Sequence, residues 1–275
     1  MAKIIETQIE VGALVPFKII HLSDTHMTYA DIRDGERKVE LANKRSQYYR
    51  GAEEVLALAS STSRELGAPI FHTGDLCDFV SLANLERAKK FVDENDVTLA
   101  AGNHEFSLYV GEAIEDAAYR NQSLDKVQAI YKNDIRAYAR QINGVNFIFL
   151  DDGYYKIDEM QLDFLKKELA RELPTVVLVH TPLYEPDLYD IERKHHDSGY
   201  LLGVPDELVD GYGSERAKLQ RADATTWEAI DLIKNTPTVK AIIAGHLHFS
   251  YEKMLTDSIL QLTTSCETVR VIEFT

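Results

Sequence analysis

Short apolar runs that end in a polar, chemistry-bearing residue recur along this chain. Phe17–Leu22 runs into Ser23-Asp24-Thr25-His26, and Ile70-Phe71 into His72-Thr73-Gly74-Asp75. Val97–Ala101 runs into Gly102-Asn103-His104-Glu105, Val176–Val179 into His180, and Val239–Ala244 into Gly245-His246-Leu247-His248. Apolar runs of this length, bounded by turn residues, predict buried strands. Between the first two, Tyr48, Ala52, Val55, Leu56 and Ala59 share one face of a helix that starts near Tyr48 and stops at Gly67 and Pro69. Strand, helix, strand in that order predicts a β-α-β unit with parallel strands. The stretch from Asp31 to Arg45 mixes both charge signs and reads as a solvated loop, from which Asn43 or Arg45 is long enough to reach a substrate.

Further along, Leu82 to Val92 predicts a second helix, with Leu82, Leu85 and the stretch from Lys89 to Val92 toward the sheet. Residues 106–120 have no clear period and are expected to wrap near the strand ends. Asn143-Gly144, between apolar stretches at 135–142 and 145–150, is a two-residue hairpin signal and predicts antiparallel pairing in a second sheet. The strongest helix pattern covers Asp158 to Leu173. Asp158 caps it, Gln161 completes a capping box and Ile157 staples to Leu162. Leu162, Leu165, Leu169 and Leu173 form its buried face, and Pro174 stops it.

Trp227, Ile230 and Ile233 mark a last helix, with Trp227 in the core. Ile4 to Glu10 reads as an edge strand, while Ile259 to Thr263 and Val269 to Phe274 read as closing antiparallel strands. Residues 181–224 break the rhythm with Pro182, Pro186, Pro205 and many Tyr and charged residues. Long irregular segments between regular elements are usually functional, so this one is expected to be a loop or lid. Without repeats, linkers or low-complexity tracts, residues 1–275 read as one domain carrying that insertion.

The residues that end the strands share one chemistry. Carboxylates, neutral imidazoles and an amide oxygen suit Zn, Fe or Mn. Two such ions about 3.5–4 Å apart need an anionic bridge, and Asp75 is placed for it. In Asp24-Thr25-His26, residues two apart point to one side of an extended segment. In His246-Leu247-His248 the same spacing sends two imidazoles toward neighbouring ions. The glycines Gly74, Gly102 and Gly245 let the chain turn without crowding the ions.

Asp24-Thr25-His26, Gly74-Asp75-Leu76-Cys77-Asp78, Gly102-Asn103-His104-Glu105, His180 and Gly245-His246-Leu247-His248, in that order, resemble the five motifs of the calcineurin-like metallophosphoesterase superfamily. The resemblance implies an α/β fold, a four-layer α/β/β/α sandwich of two mixed sheets flanked by helices. It implies two divalent or trivalent ions (Mn, Fe or Zn). Asp24, His26, Asp75 and His248 would hold one, and Asp75, Asn103, His180 and His246 the other. It implies hydrolysis of a phosphoester by in-line attack of a hydroxide bridging the ions. His104 matches the family histidine suited to protonate the leaving alkoxide, and Asp78 is placed to orient it.

Two departures narrow the reading. Phe79-Val80 follows Asp78 where phosphoprotein phosphatases carry Arg-Gly, and no Tyr stands beside Asp75 as in purple acid phosphatases. The expected substrate is therefore a small soluble phosphoester, with a diester slightly favoured. A phosphomonoesterase or nucleotide pyrophosphatase is the alternative, ahead of a non-catalytic scaffold or a nuclease.

Charge supports the last ranking. The 275-residue chain carries a formal net charge of -15, a field that repels polyanions and argues against general nucleic-acid binding. No apolar run approaches the ~18 residues of a membrane span, and the N-terminus lacks the apolar centre of a signal peptide, so a cytoplasmic protein is the default. Nothing in the pattern fixes an oligomeric state. Cys77 and Cys266 read as free thiols, Cys77 as a packed residue. His21 and His72 are expected in structural or supporting roles, Glu105 as a cap or salt bridge, and His195 and His196 as solvated.

Overall fold

The computed structural model describes residues 2–111 and 114–275. Its strands, in chain order, are β1 (Lys3–Ile9), β2 (Phe17–Leu22), β3 (Ile70–His72), β4 (Val97–Leu99), β5 (Ala137–Ile142), β6 (Val145–Leu150), β7 (Thr175–Val179), β8 (Val239–Ala244), β9 (Tyr251–Met254), β10 (Leu260–Thr263) and β11 (Thr268–Phe274). They form a five-stranded sheet of order β1-β11-β2-β3-β4 and a six-stranded sheet of order β5-β6-β7-β8-β10-β9. Both are mixed: β2, β3 and β4 run parallel, as do β6, β7 and β8, while β11–β2 and β5–β6 are antiparallel.

Three apolar clusters separate four layers. The central one joins the inner faces of the two sheets through Ile19, Phe71, Phe147, Phe149, Val176, Leu178, Ile243 and Phe274. A second lies between the first sheet and helices α2 (Ala52–Leu66) and α3 (Leu82–Glu94), which follow a more polar helix α1 (Glu36–Arg45). After the short helices α4 (Ala117–Asn121) and α5 (Leu124–Gln128) in the chain, the third packs the second sheet against α6 (Glu159–Leu169) and a last helix at Ala224–Asn235. The chain thus forms the expected α/β/β/α sandwich. Among the described residues no helix is long and apolar enough to cross a membrane.

Local rules explain most elements. Asn143 and Gly144 both have positive φ, 46° and 85°, the geometry of a tight hairpin between β5 and β6. Asp158 accepts from the Gln161 N–H and Gln161 reaches back to the Asp158 N–H, the predicted capping box. That helix ends at Leu169, short of Leu173, with Glu172 in the left-handed region before Pro174.

Several expectations are corrected. The charged stretch from Asp31 to Arg45 is a 3-10 turn (Ile32–Asp34) followed by α1, not a loop. Most of its charges face solvent, while Lys38 and Arg45 turn inward and Ala42 alone is buried in it. The next helix starts at Ala52 rather than Tyr48, and Tyr48 is exposed. Leu82, Lys89 and Lys90, expected toward the sheet, are exposed on α3, while Phe91 and Val92 bury as expected and Ala88 joins them. The closing strands do not pair with each other. β10 joins β8 in parallel and β9, a strand the sequence left unseen, while β11 joins β1 and β2 in the other sheet.

Residues 181–224 are not featureless. They hold α7 (Pro186–Arg193), followed by short helices at Asp206–Val209 and Ser214–Gln220. Leu188, Leu201, Val204, Val209 and Tyr212 give them a small core of their own.

Candidate metal centre

The carboxyl ends of β2, β3 and β4 meet those of β7 and β8, the place where open α/β sheets present a crevice. Backbone hydrogen bonds tie the loops together there. Asp24 N–H donates to Gly74 O at 3.0 Å, His26 N–H to Asp75 O at 2.9 Å and Gly245 N–H to His180 O at 2.9 Å. The loops bend sharply. Asp24, His26, Asp75, His246 and His248 all have positive φ, a conformation that costs L-residues about 1–3 kcal/mol and clusters at functional sites.

These bends converge three sets of potential ligand atoms. Within each of Asp24–His26–His248, His26–Asp75–His104 and Asp75–His180–His246, the atoms lie within 4.8 Å of one another. His26 Nε2 is 3.1 Å from His248 Nε2, and His246 Nδ1 is 3.0 Å from His180 Nε2. Asn103 Oδ1 is 3.1 Å from His180 Nε2, and Asp75 Oδ2 lies 3.3 Å from His180 Nε2 and 3.6 Å from His26 Nε2. Asp75 thus stands between the two halves of the cluster.

The donor set fits metal ions. Among the described residues Asp24 Oδ1 is buried without a hydrogen-bond partner, although His248 Nε2 and His26 Nε2 lie 3.4 and 3.8 Å away. An unpaired buried carboxylate oxygen is costly unless a cation faces it. The glycines leave the room this requires. A Cβ on Gly102 would lie 2.3 Å from Asp75 Oδ1, and one on Gly245 would lie 2.4 Å from Asp24 Oδ2.

Further groups fix the imidazoles. His26 Nδ1 is 2.9 Å from Asp78 Oδ1, and His180 Nδ1 is 2.7 Å from Thr73 O. His246 Nε2 is 2.7 Å from the Tyr155 hydroxyl. Each ring therefore keeps its other nitrogen turned into the cluster, as ligating histidines do. The Tyr49 ring stacks on His26 at 4.2 Å. Asp152 accepts from the His180 and Thr181 N–H groups. Burial pushes its carboxyl up to about 7 despite those bonds.

The carboxylate of Glu105 accepts from the N–H groups of Asp75, Leu76 and Gly102, so it caps the loops. Burial, then Asp75, raises it to about 7. His21 bonds Thr264 and Thr73, and His72 bonds Thr25 and the Gly74 N–H, so both brace the strand ends.

His104 sits beside the cluster. Its Nδ1 lies 2.7 Å from the backbone oxygen of Asp78 and 3.3 Å from that residue's Oδ1. Burial disfavours the charged ring, but Asp75 and Asp78 outweigh it and hold His104 at about 9. The Asp78 carboxylate is shared, because Arg45 and His26 are its nearer partners. Arg45 therefore grips Asp78 instead of standing clear to meet a substrate. His196 is exposed, as expected, and also lines the cavity above the cluster. Tyr49, Tyr155 and Asp152 escaped the sequence reading because none belongs to a spaced motif.

A family model described as calcineurin-like phosphoesterase matches residues 17–250. Among solved structures, the chain is similar to a dimetal phosphatase from Danio rerio, with 17% identity, a TM-score of 0.52, and 91% of this chain and 88% of that one covered. It is also similar to a phosphopantetheinyl hydrolase from Mycobacterium tuberculosis, with 10% identity, a TM-score of 0.48, and 90% and 89% covered. A putative 5'-nucleotidase from Staphylococcus aureus shares 15% identity at a TM-score of 0.42, with 90% of this chain and 48% of that one covered. At such identities the likeness is one of fold. No curated protein matches the chain significantly.

Proposed function

This chain belongs to the calcineurin-like phosphoesterase family and is a metal-dependent phosphoric ester hydrolase; we propose that it cleaves a small soluble phosphoester, a diester in preference to a monoester, at a two-metal centre. In this reading Asp24, His26, Asp75 and His248 hold one ion, and Asp75, Asn103, His180 and His246 hold the other. The observation that carries it is the convergence of these side chains around Asp75, with the Asp24 Oδ1 atom left for a cation. Bound ions of this kind neutralise phosphoryl oxygens and make a water acidic enough to attack at neutral pH.

The chain's own residues do the rest. Asp78 and Tyr155 hold the ligand rings in register. His104, kept protonated beside Asp75 and Asp78, donates a proton to the leaving alkoxide. The preference for a diester rests on the position after Asp78. Phe79 and Val80 are buried in the core there, so that position supplies no guanidinium for a dianionic monoester.

The test is hydrolysis of bis-p-nitrophenyl phosphate against p-nitrophenyl phosphate by protein stripped of metal and reloaded with Mn or Zn. Metal-dependent turnover favouring the diester is expected. A monoester preference would move the assignment to a phosphatase, and no turnover with both ions bound would remove the activity.

A further inference from the structure

The cluster opens into a cavity of about 430 Å³, within the range of pockets that enclose small ligands. One wall is aromatic. The Tyr155 and Tyr200 rings lie 5.5 and 5.9 Å from the His246 ring, and both residues have left-handed backbone, φ 58° and 48°. The Arg216 guanidinium lies 4.9 Å from the centre of the Tyr200 ring. Glu192, His196, Tyr200 and Arg216 all come from the 181–224 segment, so that segment builds much of the enclosure.

Two carboxyl groups line this space and have no part in the reaction above. Glu192, on α7, is 4% exposed, and among the described residues the nearest basic side-chain nitrogen is His196 Nε2 at 4.0 Å. Glu115 lines the same cavity, and its Oε2 is buried without a hydrogen-bond partner among the described residues. Burial raises both above the usual carboxyl range, Glu192 to about 7. Buried acceptors left without donors are expensive, and a phosphoryl group brings only acceptors. Arg216 lines the same cavity and acts on Glu115 by charge, but no hydrogen bond joins it to either carboxyl among the described residues, which leaves room for donors from the other part of the substrate.

We propose that Glu115 and Glu192 form a subsite for the alcohol portion of the substrate, selecting phosphoesters whose alcohol carries hydroxyl or ammonium donors. This rests on the phosphoesterase reading, because it takes the phosphoryl group to lie over the metal cluster.

Calorimetric titration of the manganese-loaded protein reads the subsite without requiring turnover. The probes are butylphosphonate, 3,4-dihydroxybutylphosphonate and 4-aminobutylphosphonate. At least one donor-bearing probe is expected to bind about tenfold tighter than butylphosphonate. Glu192→Leu and Glu115→Leu, with melting temperature and metal content checked, are expected to erase that preference while butylphosphonate affinity stays within about twofold.

Glu192→Gln and Glu115→Gln separate the two donor types and serve if the leucine variants fail to fold. The amide oxygen still accepts from a hydroxyl but no longer pairs with an ammonium, so a retained preference marks a polyol and a lost one an amine. Equal affinity for all three probes overturns the subsite alone, as does a preference that survives both leucine substitutions. Failure of every probe to bind overturns the subsite, and it overturns the phosphoesterase reading as well only where bis-p-nitrophenyl phosphate is not hydrolysed either.

Discussion

The guanidinium of Arg45 grips the Asp78 carboxylate through two hydrogen bonds, Nε to Oδ2 at 2.7 Å and Nη2 to Oδ1 at 2.9 Å. Asp78 is fully buried and the Arg45 side chain is 20% exposed. The same carboxylate orients His26 and lies beside His104, so Arg45 acts on the centre through it. Removing one partner of such a buried pair typically costs about 3–5 kcal/mol. Arg45→Met is expected to lose about 3 kcal/mol in urea unfolding and to release metal more readily. Arg45→Lys should fall between, since an ammonium cannot reproduce the two-pronged contact. A methionine variant with unchanged stability and metal content would show that Asp78 does not depend on Arg45.

Gly245 is where the backbone passes closest to the first motif. A Cβ there would lie 1.7 Å from Ser23 Oγ and 2.4 Å from Asp24 Oδ2. Asp24 Oδ2 also accepts the His246 N–H at 2.8 Å, so the strain passes directly between two proposed ligands. Overpacking of this kind costs about 1–3 kcal/mol or more. Gly245→Ala is expected to lower the melting temperature and lose at least one ion per chain by elemental analysis. Full metal occupancy in that variant would mean that the loop has slack the structure does not show.

His104 is placed to give a proton rather than to hold the cluster together. His104→Ala is expected to keep both ions yet slow substrates with poor leaving groups at least about tenfold more than activated p-nitrophenyl esters. Comparing kcat across leaving groups of graded pKa checks this. Equal losses for all of them would remove the proton-donor role.

Much of this arrangement can be read along the chain, because it depends on local rules. The buried strands, the Asn143-Gly144 hairpin and the Asp158–Gln161 cap follow from patterns confined to a few residues. The motif residues are legible for the same reason, each sitting at the end of an apolar run. What escaped depends on tertiary contact. α1 is so polar that its sequence resembles a loop, and it is anchored by Arg45 on Asp78 and by Lys38 on the Val80 carbonyl. Tyr49 and Tyr155 carry no spacing signal, since they meet His26 and His246 only after folding. The pairing of β10 with β8 and of β11 with β2 joins segments that alternation alone cannot sort between two sheets.

The start of the cavity-forming segment has its own anchor. Glu185 caps α7 through the Leu188 N–H at 2.9 Å and accepts from Tyr251 at 2.7 Å and Lys253 at 2.6 Å. Burial alone would raise its carboxyl, but Lys253 and Tyr251 outweigh that and hold it at about 2. A carboxyl depressed in the folded state stabilises fully above its unfolded value of about 4.3. That contribution is lost as the pH falls through about 2. The melting-temperature gap between the natural chain and Glu185→Gln is therefore expected to be constant above about pH 5 and to close toward acid. A gap independent of pH would mean that Glu185 does not carry this anchor.

The central claim is that Asp75 joins two ions in one centre, and metal counting tests it most directly. Protein stripped by chelator and dialysed against manganese should take up two ions per chain, and turnover of bis-p-nitrophenyl phosphate should vanish and return with them. Asp75→Asn, which keeps the shape but removes the bridging charge, should hold fewer than two and lose most turnover. Undiminished turnover in chelator, or two ions still held by Asp75→Asn at unchanged affinity, would contradict the account.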